Sequence, residues 1–262
     1  MVQTSSLVFM AVDAVLGIAV PVFLSLYLVR RFHAKLSTIL IGAGTFFLFA
    51  LVLESLMHQW VLKGPHGAVI MDNTLLFALY GGLAAGIFEE TGRFLSMKIL
   101  MKKEPSEPLP GIAYGVGHGG MEMLIIFGIT MIGNLVFSAM INSGQTDVLF
   151  SKASGEAAGQ LQAQLDQLQA LGAGTLLIGL WERFSALILQ VGISLIVWVA
   201  VRKGGNYLWL FPAAVALHAI VDAGAVLLQK SAGMVPLELI VTAEAIAVAA
   251  IGYMAVKKLK TA

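Results

Sequence analysis

Seven stretches of this chain are apolar for long enough to cross a lipid bilayer, at residues 6–30, 36–61, 74–101, 110–141, 173–201, 207–229 and 234–256. A membrane-spanning helix needs about 20 such residues. Inside lipid every backbone N–H and C=O must be satisfied within the protein, so segments of this length are helices. With 58% hydrophobic and 12% charged residues, the chain also falls well short of the roughly one-quarter charged content of soluble domains. The expected fold is all-α: one integral membrane domain over residues 1–262, with seven transmembrane helices embedded in a lipid bilayer.

The connections carry the orientation. Arg30, Arg31, Lys35, Lys98, Lys102, Lys103, Arg202, Lys203, Lys257, Lys258 and Lys260 fall on one side, and only Lys63, Lys152 and Lys230 on the other. Basic loops stay on the cytoplasmic side, which predicts an external N-terminus, a cytoplasmic C-terminus and a site in the bacterial cytoplasmic membrane. The first residues lack a basic region and a cleavage motif, so the first apolar stretch reads as a retained helix. Residues 143–172 form the one long polar connection, on the external side. Leu161, Leu165, Leu168 and Leu171 give it the apolar stripe of an amphipathic helix. A net charge of +1 argues against nucleic acid, which requires clustered basic surface. The absence of cysteine excludes thiolate nucleophiles and Cys-ligated zinc.

Against this apolar background a few polar residues are conspicuous. Glu89 and Glu90 are adjacent in the third stretch, and a charge at bilayer depth costs at least a few kcal/mol. Counted from the cytoplasmic ends at ~1.5 Å per residue, Glu89, Glu90, His118, Glu122, Gln190, His218 and Asp222 all lie ~12–23 Å deep. Four helices thus place ionisable or amide groups in one slab, the usual sign of an interior site or water-filled cavity. The cavity is expected to open toward the cytoplasmic half. Asp13, Glu54, His58, Glu182 and Arg183 fall nearer the outside. There the bland reading prevails: structural ion pairs in which Arg183 neutralises Glu54 or Asp13.

Spacing suggests roles within the slab. Glu89 and Arg93 are four apart and share a helix face, so they can pair. Glu90 is then the less neutralised carboxylate and the better candidate for a general base. His118 and Glu122, and again His218 and Asp222, each put an imidazole and a carboxylate on one face. The four are candidate zinc ligands, the metal polarising a carbonyl and lowering the pKa of bound water. In a metal-free version a glutamate and a histidine activate water, and the second histidine donates to the oxyanion. The residues leave both open. Tyr114 and Gln190 are candidate site-lining residues, and the glycines of Tyr114-Gly-Val-Gly-His118-Gly-Gly would admit another backbone or an extended substrate. No His-Glu-x-x-His, Gly-x-Gly-Asp or Gly-x-Ser-x-Gly motif is present.

Phe88-Glu-Glu-Thr-Gly-Arg93, Gly115-Val-Gly-His-Gly-Gly-Met-Glu122, Trp181-Glu-Arg183 and Leu217-His-Ala-Ile-Val-Asp222, in this order on separate helices, resemble the CAAX-protease and bacteriocin-processing superfamily. The resemblance is strongest to its YhfC branch of intramembrane metalloproteases, and it runs from the third span to the sixth. It implies an endopeptidase acting on a membrane or membrane-associated peptide, with zinc as cofactor. Glu89 or Glu90 would handle water, and His118 and His218 would occupy the metal or oxyanion positions. The chain departs from the pattern at Arg93, one residue earlier than usual, and at Gln190, where that branch often carries histidine. The alternative from the residues themselves is a transporter using these groups as a proton relay, or a scaffold that only binds peptide.

Overall fold

The computed structural model describes residues 1–151, 153–257 and 259. Lys152, Lys258 and Lys260, used above for orientation, lie outside them. The described residues contain helices and no strands, as backbone self-sufficiency in lipid requires. In chain order, α1 is Thr4–Phe32, α2 Leu36–Leu62, α3 the short Gly67–Asp72, and α4 Thr74–Ile99. Next come α5 Pro108–Asn142, the single turn α6 Asp147–Phe150, and α7 Glu156–Ala170. The chain ends with α8 Ala173–Lys203, α9 Leu210–Gln229 after a 3₁₀ turn at Gly205–Trp209, and α10 Met234–Lys257.

Six of these, namely α1, α2, α5, α8, α9 with its 3₁₀ turn, and α10, are long and apolar enough to cross a membrane. The 26-residue α4 is long enough, but Glu89, Glu90, Arg93 and Lys98 lower its hydropathy. Two of the crossing helices are not α-helical throughout. Phe47–Glu54 in α2 and Met123–Ile129 in α5 are π-helical. Their i→i+5 bonding takes the following residues out of the 3.6-residue register, and such segments are frequent at functional sites.

Contacts group the chain into two compact units, Met1–Val20 with Met123–Arg183, and Pro21–Glu122 with Phe184–Ala262. In the first, Val2, Met10, Leu168 and Leu176 are buried together, with Leu135, Phe137 and Leu171 packed around them. The amphipathic stripe of the polar connection therefore serves this core, through Leu168 of α7 and Leu171 just after it. The second unit is built on close backbone approaches, with α4 lying along α9 and the first half of α5 along α2. A Cβ at Gly82 would stand 2.4 Å from the Ala219 carbonyl oxygen, and one at Gly117 only 1.9 Å from that of Ile39. Of the two uses expected for the α5 glycines, this is the approach of another backbone. The core of this unit runs through Met97, Met101, Tyr114, Ile193, Trp198, Leu210 and Ala214, all buried.

Candidate active site

Within the second unit, α4, α5, α8 and α9 bring Glu89, Glu90, Arg93, His118, Gln190 and His218 together, every one of them buried. Buried ionised groups are tolerable only when paired and hydrogen-bonded, and the partners form two linked arms. In the first, His118 Nε2 lies 2.8 Å from Glu89 Oε2. Gln190 Nε2 donates to the same oxygen at 3.1 Å and to Glu122 Oε2 at 3.0 Å. In the second, His218 Nδ1 lies 2.8 Å from Glu90 Oε1, and His218 Nε2 is 3.6 Å from Asp222 Oδ2.

Arg93 joins the arms. Its Nε stands 3.0 Å from Glu90 Oε2 as an ion contact out of line for a hydrogen bond, whereas its approach to Glu89 is 4.0 Å. The guanidinium donates to the Gln190 carbonyl oxygen at 2.9 Å, to Gln190 Oε1 and to Ser194 Oγ. Its ring-side neighbour is Tyr114, whose hydroxyl meets Ser96 Oγ at 3.0 Å. The pairing read from spacing is thus reversed. Positions three and four apart are both neighbours on a helix, and the anchoring by Gln190 and Ser194 carries Arg93 toward Glu90. Glu90 is fully enclosed, while Glu89 keeps 7% exposure.

Gln190 finds its reason here. Its carbonyl oxygen takes a guanidinium hydrogen while its NH₂ supplies two carboxylates, a combination an amide offers and an imidazole cannot. The reverse amide orientation would set NH₂ against the guanidinium, so the partners fix it.

His118, Glu122, His218 and Asp222 do not come together as one ligand set. Among the described residues no three His, Asp or Glu side chains are grouped to hold a metal ion. Each imidazole instead meets a carboxylate directly at 2.8 Å. A zinc ion with ordinary bond lengths in tetrahedral geometry would hold nitrogen and oxygen ~3.4 Å apart. The arrangement does not fit a bound zinc, although His118 Nδ1 is buried with no hydrogen-bond partner.

The outer groups also differ from expectation. Arg183 pairs with its neighbour Glu182. Both carboxylate oxygens of Asp13 are buried with no hydrogen-bond partner among the described residues. Glu54 bonds to His58 Nε2 at 3.1 Å, and His58 Nδ1 meets the Tyr80 hydroxyl at 2.7 Å. Glu54 also interacts electrostatically with Glu89, His218 and Asp222, so it belongs to the surroundings of the site and not to a remote ion pair. It ends the π-helical segment of α2, where helical counting loses register. Ser194 went unnoticed in the sequence, though its spacing of four from Gln190 was the available signal.

Residues 16–247 match the model of a family described as YhfC intramembrane metalloprotease. The chain belongs to the YhfC family. It is 35% identical, over 231 residues covering 88% of each chain, to a Bacillus subtilis (strain 168) protein described as "Uncharacterized membrane protein YhfC". No solved structure matches. With its six apolar helices and these relatives, this YhfC-family chain is an integral membrane protein. The family description bears the words intramembrane metalloprotease, which makes peptide hydrolysis the first activity to test against the geometry.

Proposed function

We propose that this protein is an intramembrane endopeptidase of the bacterial cytoplasmic membrane in which Glu89 activates water against a peptide bond. The observation that carries this reading is the contrast between the two adjacent carboxylates. Glu89 has one oxygen fixed by His118 and Gln190 and retains some exposure, while Glu90 is enclosed between Arg93 and His218. Glu90 is then the anchor and Glu89 the base. The topology that accompanies the reading has α4 as a seventh crossing helix, the N-terminus outside and the C-terminus in the cytoplasm, from the basic bias of the connections.

Glu89 takes a proton from water as its oxygen bonds to the peptide carbonyl carbon, and the carbonyl π pair moves to oxygen. His218, set between Glu90 and Asp222, donates to that developing oxyanion. The oxyanion pair then re-forms the carbonyl as the C–N bond breaks with its electron pair on nitrogen, and Glu89 passes the proton taken from water to the leaving amine. Arg93, Gln190 and Ser194 position these groups without touching substrate. The family description implies a metal, which the donors as arranged do not fit.

The test is incubation of purified protein with membrane peptides. Cleavage by the native chain that disappears in Glu89→Gln supports the assignment, and cleavage that persists in it overturns the assignment. Stoichiometric zinc in freshly purified native protein, lost in His118→Ala with His218→Ala, would show that the donors rearrange around a metal. A second reading, a proton relay, is favoured by the Glu54–His58–Tyr80 chain. A relay would keep partial activity in Glu89→Asp, whereas a positioned base would not.

A further inference from the structure

Burial around the site is lopsided. Toward the ends of α4, α5, α8 and α9 that carry the basic connections, the side chains packed between these helices are closed off. Arg93, Met97, Met101, Tyr114, Ile193, Ser194, Trp198 and Ala214 have at most 1% exposure. Toward the other ends the polar side chains open. Asp222 is 37% exposed and His58 32%, and Glu54, Tyr80 and Asp222 lie on that side of Glu89 along their helices.

This exposure is not toward lipid. On α9 the outward apolar residues are Ile220 and Leu227. At ~100° per residue Asp222 points ~200° away from Ile220. On α2, Leu56 and Trp60 are exposed, and His58 is again ~200° from each. Glu89 stands in the same relation to the exposed Ile87 on α4. The partly exposed polar groups therefore face inward, where a charged group in a membrane protein meets water or other protein. His58 holds Glu54 and Tyr80 together at 3.1 and 2.7 Å, and Glu54 is within electrostatic reach of Glu89, His218 and Asp222. The three form a polar cluster that the proposed hydrolysis leaves unused.

We infer that Glu54, His58, Tyr80 and Asp222 form the mouth of a polar entry path, through which water and a peptide segment reach Glu89 from the membrane face opposite the basic connections. In the proposed topology that face is extracytoplasmic, against the cytoplasmic opening expected from depth alone. That the occupant is a peptide rests on the hydrolytic reading; the sidedness does not. Its consequence is a substrate presented from outside the cell, such as the extracytoplasmic flank of a membrane-anchored or exported polypeptide.

The chain has no cysteine, so single cysteines report accessibility cleanly. Ser106→Cys marks the basic face and Ser231→Cys the opposite one, both positions being exposed. His58→Cys, Tyr80→Cys and Asp222→Cys are then treated with a membrane-impermeant charged methanethiosulfonate on intact cells and on inverted vesicles. Variants that elute as the native protein does are scored. The inference expects these positions to react at least ten times faster from the side that labels Ser231→Cys, and Ser96→Cys to stay unreactive from the side that labels Ser106→Cys. Labelling from the Ser106 side, or from neither side while Ser231→Cys reacts, overturns it. The same labelling in a Glu89→Gln background separates sidedness from catalysis, because the pattern must persist there whether or not any peptide is cut. A soluble-flanked test peptide supplied to one face only should be cleaved from the Ser231 side; cleavage from the Ser106 side alone would overturn the route while leaving hydrolysis intact.

Discussion

Asp13 and Glu90 are both carboxylates on long helices with no exposed surface, and the two units of the protein treat them in opposite ways. Glu90 meets His218 on one oxygen and Arg93 on the other, and Arg93 is itself held by Gln190 and Ser194. Asp13 has neither oxygen hydrogen-bonded among the described residues. A buried polar group without partners costs about 1–3 kcal/mol, and a charged one more. Burial of an acidic residue is therefore a cost shared by both units, and around Glu90 the second turns it into a network with directional groups. The contrast teaches that a membrane carboxylate marks a site when neighbours from several helices are arranged to hold it, not merely when it is deep.

The sharpest way to break the contrast is to remove the chemistry and keep the packing. Glu89→Gln should lower peptide cleavage by roughly 10²- to 10⁴-fold with the thermal unfolding of the detergent-solubilised protein little changed. Next comes the anchor. Arg93→Leu leaves Glu90 enclosed without its cation, and breaking a buried pair in this way typically costs about 3–5 kcal/mol. The protein should unfold at clearly lower temperature or denaturant concentration. Gln190→Leu strands an Arg93 hydrogen and takes one donor each from Glu89 and Glu122, so a loss of about 1–3 kcal/mol is expected. Gln190→His should recover only part of it, since an imidazole cannot accept from Arg93 and donate to both Glu89 and Glu122. The smallest effect belongs to Asp13. Asp13→Leu removes an unpartnered polar group, and stability should stay level or rise by about 1 kcal/mol. If Asp13→Leu proved as damaging as Arg93→Leu, the distinction between the units would collapse.

Much of this organisation is legible in the chain itself. Apolar length determines that the protein is helical and membrane-bound, because lipid leaves the backbone no other way to bond six such segments. The polar residues set in apolar helices likewise announce a buried cluster, since their desolvation demands partners. Helical periodicity brings Glu89, Glu90 and Arg93 to neighbouring positions, and leucine spacing marks the amphipathic α7.

What only the tertiary structure decided is which neighbour each of these groups takes. Arg93 could reach either glutamate along its own helix, and the choice of Glu90 came from Gln190 and Ser194 on α8. His118 and His218 met carboxylates of α4 directly and did not gather with Glu122 and Asp222 into a single ligand set. Glu54 joined the surroundings of the site although depth counting sets it nearer the outside, because counting along one helix does not report what neighbouring helices bring to it. Partner choice among buried polar groups turns on ångström differences between helices. Close glycine contacts between helices, such as Gly115 against Ser194 and Gly119 against Gln190, accompany that choice, and spacing within one helix carries no information about them.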